Sequence, residues 1–69
     1  MTKGRVVNRI KHYRTQAGWT QQDLAERVEA TRQTIIAIEA NKYAPSLELA
    51  FRIARAFDAP FEDVFRFET

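Results

Sequence analysis

The 69-residue chain predicts an all-α fold, five short helices in one domain spanning residues 1–69, with a two-stranded ribbon between the termini as an optional addition. Three observations carry this. Apolar residues recur at helical spacings of three and four in stretches of roughly two to three turns. The later stretches open on capping residues (Thr20, Thr31 and Ser46) and close on residues or breaks that stop a helix. Gly and Pro number two each, so they punctuate the chain and leave no linker, repeat or low-complexity stretch.

The first helix is expected over residues 7–17, with Ile10, Tyr13, Arg14 and Ala17 on one face and Gly18 as a left-handed stop. Trp19 follows as a core plug. Thr20 caps the second helix, residues 21–28, with Asp23 three positions on as a variant capping box; Leu24, Ala25 and Val28 turn inward. Thr31 caps the third, residues 32–40, which buries Ile35 and Ile38 and ends at Asn41. Ser46 caps the fourth, residues 47–57, with Leu47, Leu49, Ala50, Ile53, Ala54 and Phe57 inward. Asp58-Ala59-Pro60 breaks the chain before a fifth helix, residues 61–65, whose Glu62 and Asp63 favour its positive end. Arg5-Val6-Val7 and Phe65-Arg66-Phe67-Glu68 alternate polar and apolar residues, which is what suggests the ribbon.

Composition narrows the chemistry. No cysteine is present and only one histidine, His12, which reads as a surface residue; neither a disulfide framework nor a metal site is expected. No apolar run approaches the roughly 20 residues of a membrane span, and residues 1–9 lack a signal-peptide core, so a soluble cytoplasmic protein is expected. There is no nucleophile–base pair, no Gly-rich phosphate loop and no acidic pair suited to a cleft, so neither an enzyme, a cofactor nor a small-molecule ligand is expected. Charge is asymmetric: residues 1–42 hold eight Lys/Arg against four acids, and residues 43–69 hold three against five. The basic half contains the second and third helices, an arrangement suited to a polyanion on one side of the molecule.

Those two helices, within residues 20–40, are joined by the short turn Glu29-Ala30-Thr31, the length found in a helix-turn-helix. Ala25 falls where the two helices cross closely. The turn wants a positive φ at Glu29, which in a residue with a Cβ costs about 1 kcal/mol. Arg32, Gln33, Ile36 and Ala37 form a face of the third helix that a self-contained core does not need. Arg presents a fork matching guanine O6 and N7, Gln matches adenine N6 and N7, and Ile or Ala meets thymine methyls.

Thr20-Gln21-Gln22-Asp23-Leu24-Ala25, Thr31-Arg32-Gln33-Thr34-Ile35 and Ile38-Glu39-Ala40-Asn41-Lys42-Tyr43-Ala44-Pro45-Ser46-Leu47 together resemble the Cro/phage-repressor helix-turn-helix family, in particular its small stand-alone bacterial and archaeal regulators. The resemblance covers most of the chain and implies a lambda-repressor-like DNA-binding domain with residues 32–40 as recognition helix. It implies that Arg32, Gln33, Ile36 and Ala37 face base edges, and that Gln21, Thr34, Asn41, Lys42 and Tyr43 lie against phosphates, Gln21 also bracing Gln33. It further implies an internal ion pair between Arg14 and Glu39. The departures are Glu29 for the usual Gly, Ala30 for a larger apolar residue, and Ala40-Asn41 for a polar residue and Gly.

One such domain makes few contacts, so a homodimer on a palindromic stretch of double-stranded DNA is expected. The five phenylalanines all lie in the C-terminal third, and Phe51, Phe61, Phe65 and Phe67 are the candidate interface. Transcriptional repression is the leading function; an antitoxin-type interaction protein that also binds its own operator is the alternative.

Overall fold

The structure, a computed structural model, describes residues 4–69. Along the chain come β1 (Arg5–Asn8), α1 (Ile10–Ala17), α2 (Gln21–Arg27), α3 (Arg32–Glu39), α4 (Leu47–Ala56), α5 (Phe61–Val64) and β2 (Phe65–Glu68). Residues 1–3, counted in the sequence-defined domain and in the basic half, lie outside the described residues.

Helices α1 to α4 stop in the same way. Each is followed by a left-handed residue: Gly18 (φ 75°), Glu29 (φ 60°), Asn41 (φ 58°) and Asp58 (φ 52°). At each stop two backbone N–H groups return to the last turn. Ala30 donates to the Ala25 carbonyl (2.9 Å), Lys42 to Ala37 (3.0 Å) and Ala59 to Ala54 (3.1 Å), as Trp19 does to Arg14 (3.0 Å). These bonds satisfy carbonyls that a helix end otherwise leaves open. Short helices thus turn sharply onto one another without long loops.

The starts are equally local. Thr20 accepts from the Asp23 amide while the Asp23 carboxylate accepts from the Thr20 amide, a complete capping box. Thr31 accepts from the Thr34 amide and Ser46 from the Leu49 amide, capping α3 and α4 by the single hydroxyl bond without the reciprocal one. Helix α1 begins at Ile10, three residues later than expected, because residues 7 and 8 are in the ribbon and the Asn8 side chain accepts from the Ile10 amide. Helix α5 ends at Val64, one residue early, as Phe65 passes into β2.

The ribbon pairs β1 with β2 antiparallel, Arg5 opposite Glu68, Val6 opposite Phe67, Val7 opposite Arg66 and Asn8 opposite Phe65. It ties together the two ends of the described chain, and the Arg9 amide adds a bond to the Val64 carbonyl (2.9 Å). A Cβ on Gly4 would run into the Phe67 ring and the Glu68 backbone carbonyl, so the bare backbone is what lets the strand ends close.

The core is Ile10, Leu24, Ala25, Val28, Ile35, Ile38, Ala50, Ile53, Ala54, Val64 and Phe65. Ala25 is fully buried in the closely packed α2–α3 pair. Phe57 stacks on Tyr13 and on Trp19, and the Arg27 guanidinium lies 4.1 Å above the indole, closing one flank of the core. Two residues grouped by their spacing with core positions, Ala17 on the Ile10 face and Leu47 among the inward residues of the fourth helix, are exposed. Ala17 sits in the last turn of α1, beyond the packed layer. Leu47 is 69% exposed because it occupies the first turn of α4, in line with Phe51 and beside the Ala50–Ile53–Ala54 stripe that faces the core. Phe65 requires the opposite correction. Its expected place is an interface between copies, but it is only 5% exposed and belongs to this chain's own core.

Candidate nucleic-acid interface

Helix α3 carries two opposed faces. Ile35 and Ile38 are buried, whereas Arg32, Gln33 and Ile36 are exposed and Ala37 is half-buried. Ile36 leaves 40% of its surface to solvent, so much of its branched side chain stands clear of the core. The four expected base-facing residues therefore lie together, one turn apart in two pairs, at the N-terminal and middle parts of one helix.

What holds α3 is a polar network at its far end. Arg14 reaches from α1 and donates through Nε to Glu39 Oε2 (2.8 Å) and through Nη2 to Oε1 (3.3 Å), a bidentate fork. Its remaining Nη1 donates to the Trp19 carbonyl (2.9 Å). The two side chains are 12% and 8% exposed, so the pair sits largely out of water, and each of the three guanidinium nitrogens donates one hydrogen bond. Gln21 donates from Nε2 to Glu39 Oε1 (3.3 Å), placing its amide against the ion pair and not against Gln33. Glu39 thus gathers α1, the start of α2 and α3 at a single carboxylate.

Around this face lie the other expected positions. Thr34 is half-buried and its hydroxyl meets that of Thr31 (2.9 Å). Asn41, Lys42 and Tyr43 are all exposed in the turn that leaves α3. A shallow depression between the starts of α2 and α3 is lined by Arg14, Thr20, Gln21, Gln22 and Arg32. Gln22 does not stand out in the sequence, where it reads as one more solvated helix residue. Asn8 escapes sequence reasoning as well: it donates from Nδ2 to the Ile38 carbonyl (2.8 Å) and to Asn41 Oδ1 (3.2 Å), at the exit of α3.

The expected interface residues divide. Phe51 is 49% and Phe67 65% exposed; Phe67 lines one shallow depression with Val6, Leu47 and Phe61, and Phe51 lies beside it against the Phe61 ring. Phe61 is half-buried beneath them, its ring 4.8 Å from Phe51 and 5.3 Å from Phe65 between centroids. At the start of α2, the hydrogen bonds from the Thr20 amide and hydroxyl hold the Asp23 carboxyl below the usual aspartate range. Among the described residues no three His, Cys, Asp or Glu side chains come together as a metal site, and no helix is long and apolar enough to cross a membrane.

Comparison with known proteins agrees with this geometry. A helix-turn-helix family model matches residues 10–64. An uncharacterised HTH-type transcriptional regulator of Methanocaldococcus jannaschii is 52% identical over 61 residues, covering 88% of this chain and 92% of that protein. A counterpart in Methanothermobacter thermautotrophicus is 56% identical over 57 residues, 81% of this chain and 83% of its own. The Bacillus subtilis HTH-type regulator YgzD is 48% identical over 61 residues, 88% and 92% of the two chains. Among solved structures, a candidate DNA-binding protein from Bacteroides fragilis superposes with a TM-score of 0.79 at 26% identity, covering 88% of this chain and 98% of that one. With the matched model spanning α1 to α5 and relatives near half identity over most of their length, the chain belongs to the Cro/C1-type helix-turn-helix family.

Proposed function

We propose that this protein is a sequence-specific DNA-binding transcriptional regulator that seats α3 in the major groove and acts in the cytoplasm as a homodimer on a palindromic operator. The observation that carries this reading is the solvent face of α3, where Arg32, Gln33 and Ile36 stand exposed opposite the buried Ile35 and Ile38. A core has no use for that face, and its chemistry is that of base edges: a guanidinium fork, a primary amide and apolar groups of methyl-contact size. Ala37 completes it. Gln21, Thr34, Asn41, Lys42 and Tyr43 surround it as phosphate contacts that fix register without reading sequence. The Gln21 amide uses one N–H on Glu39, which leaves the second for a phosphate. The relatives' names as transcriptional regulators support the same reading.

The dimer rests on the surface of Val6, Leu47, Phe51 and Phe67, each at least 40% exposed, with Phe61 at its base. Apolar residues grouped in this way on a small domain suit self-association. Two-fold pairing sets the recognition helices about 34 Å apart, one turn of B-DNA. A dimer so placed occupies its operator and acts by exclusion, as a repressor.

The test is selection from a random duplex pool at two salt concentrations, with sedimentation of the same preparation. Enrichment of a short palindrome and a species of twice the 8.0 kDa chain mass are expected. Absence of any enriched duplex refutes the DNA reading; a purely monomeric protein at micromolar concentration refutes the dimer.

A further inference from the structure

The side chain of Asn8 is engaged at the junction of three elements. Its Oδ1 accepts from the Ile10 amide at the start of α1 (3.1 Å). Its Nδ2 donates to the Ile38 carbonyl in the last turn of α3 (2.8 Å) and to Oδ1 of Asn41 (3.2 Å), residues 30 and 33 positions away. The Ile38 carbonyl also accepts the Asn41 amide (3.0 Å), so both of its lone pairs are engaged. Asn8 is itself anchored, because it pairs in the ribbon with Phe65, a core residue.

The turn that Asn8 grips is left-handed at Asn41 and directs Lys42 and Tyr43 out of α3. We propose that Asn8 is a positioning residue for the phosphate-facing turn at residues 41–43, tying that turn to the ribbon that bears the dimer surface. Asn suits this task by its chemistry. Asp offers the acceptor for Ile10 but no donor for Ile38, and Ser caps α1 but does not extend to α3. The DNA part of this inference rests on the function proposed above; the structural part does not.

A double-mutant cycle combined with amide exchange tests it. Asn8→Ser, Lys42→Ala and the double variant are titrated over a salt series against the duplex the unaltered protein selects. In the parent background Lys42→Ala is expected to lower the logarithmic salt slope by about one; in the Asn8→Ser background the change should be less than half as large. A general loss of stability would leave the Lys42 effect intact, so only a misplaced turn produces this non-additivity. In parallel, the Asn41 and Lys42 amides of Asn8→Ser should exchange about tenfold faster than in the parent, while the Ile35 and Ile53 amides are unchanged. Additive effects in the cycle, or unchanged exchange at residues 41 and 42, overturn the proposal. If the parent selects no duplex, the DNA reading fails and the exchange experiment alone decides the role of Asn8. Should Asn8→Ser not fold, Asn8→Asp, which keeps the cap on Ile10, is taken through the same measurements.

Discussion

Replacing Glu29 by Gly should stabilise this protein, although it removes an ion pair. Glu29 holds φ at 60°, in the left-handed region, to make the turn between α2 and α3. A residue with a Cβ is disfavoured there by about 1–2 kcal/mol. Gly removes that strain but orders a more flexible unfolded chain, which takes back about 0.5–1 kcal/mol. The carboxylate of Glu29 also pairs with Arg52, at 3.4 Å with side chains 77% and 44% exposed, and so open a pair contributes only about 0–0.5 kcal/mol. With each contribution at the middle of its range the net gain is about 0.5 kcal/mol, a rise of about 2–4 °C in the melting midpoint of a domain this size. Glu29→Ala is the control, because it deletes the carboxylate and keeps the Cβ; it should fall within about 0.5 kcal/mol of the parent. Paired thermal and urea denaturation reads both. A Gly variant no more stable than the Ala variant would refute the strain assigned to this turn.

Three further outcomes are expected. Glu39→Ala should cost about 3–5 kcal/mol by leaving the Arg14 guanidinium without its carboxylate partner, much of the stability of a 69-residue domain; a urea-derived loss below about 1 kcal/mol would contradict a structural role for the Arg14–Glu39–Gln21 network. The capping box makes a pH-dependent contribution: Asp23 is depressed in the fold from 3.8, so its stabilisation is complete above that value and is lost as the pH falls through the lower folded value. Asp23→Asn should flatten the stability profile in that acid window, and equal acid sensitivity of the two proteins would rule the contribution out. Phe67→Ser should shift the sedimentation equilibrium toward the single chain with little change in melting, since the ring is 65% exposed; unfolding in place of dissociation would show that Phe67 supports the domain itself.

Much of the fold is legible in the sequence because its punctuation is local. Thr20 and Asp23, Thr31, Ser46, Gly18 and Asn41 each act on a residue within a few positions, so cap chemistry alone locates the helix ends to within a residue or two, apart from the first helix start. Glu29 is legible as a strained turn for the same reason. The buried stripe of α2, α3 and most of α4 follows from spacing. The errors arise where spacing does not discriminate. Leu47 and Phe51 lie one turn apart on α4, beside a core stripe of similar composition, and only packing decides which row is covered. Phe65 looks like surplus aromatic surface, yet the ribbon turns it inward while its alternate neighbour Phe67, on the same face, extends past the core. Asn8 leaves no trace in the sequence because its partners at the exit of α3 are a backbone carbonyl and an amide more than two dozen residues away. The exposed face of α3 can be located in advance, since helical periodicity leaves Arg32, Gln33 and Ile36 with no inward role.

In the proposed function the exposed face of α3 reads bases while the turn beyond it holds the DNA backbone. Binding of Arg32→Ala, Gln33→Ala and Lys42→Ala to the selected duplex and to each of its single-base-pair variants measures that division directly. Arg32→Ala and Gln33→Ala should each lose about 1–3 kcal/mol of discrimination at one or two base pairs per half-site and tolerate substitution there. Lys42→Ala should weaken every duplex alike and reduce the salt slope by about one. If all three variants lower affinity uniformly with the preference at every base pair intact, α3 does not read sequence.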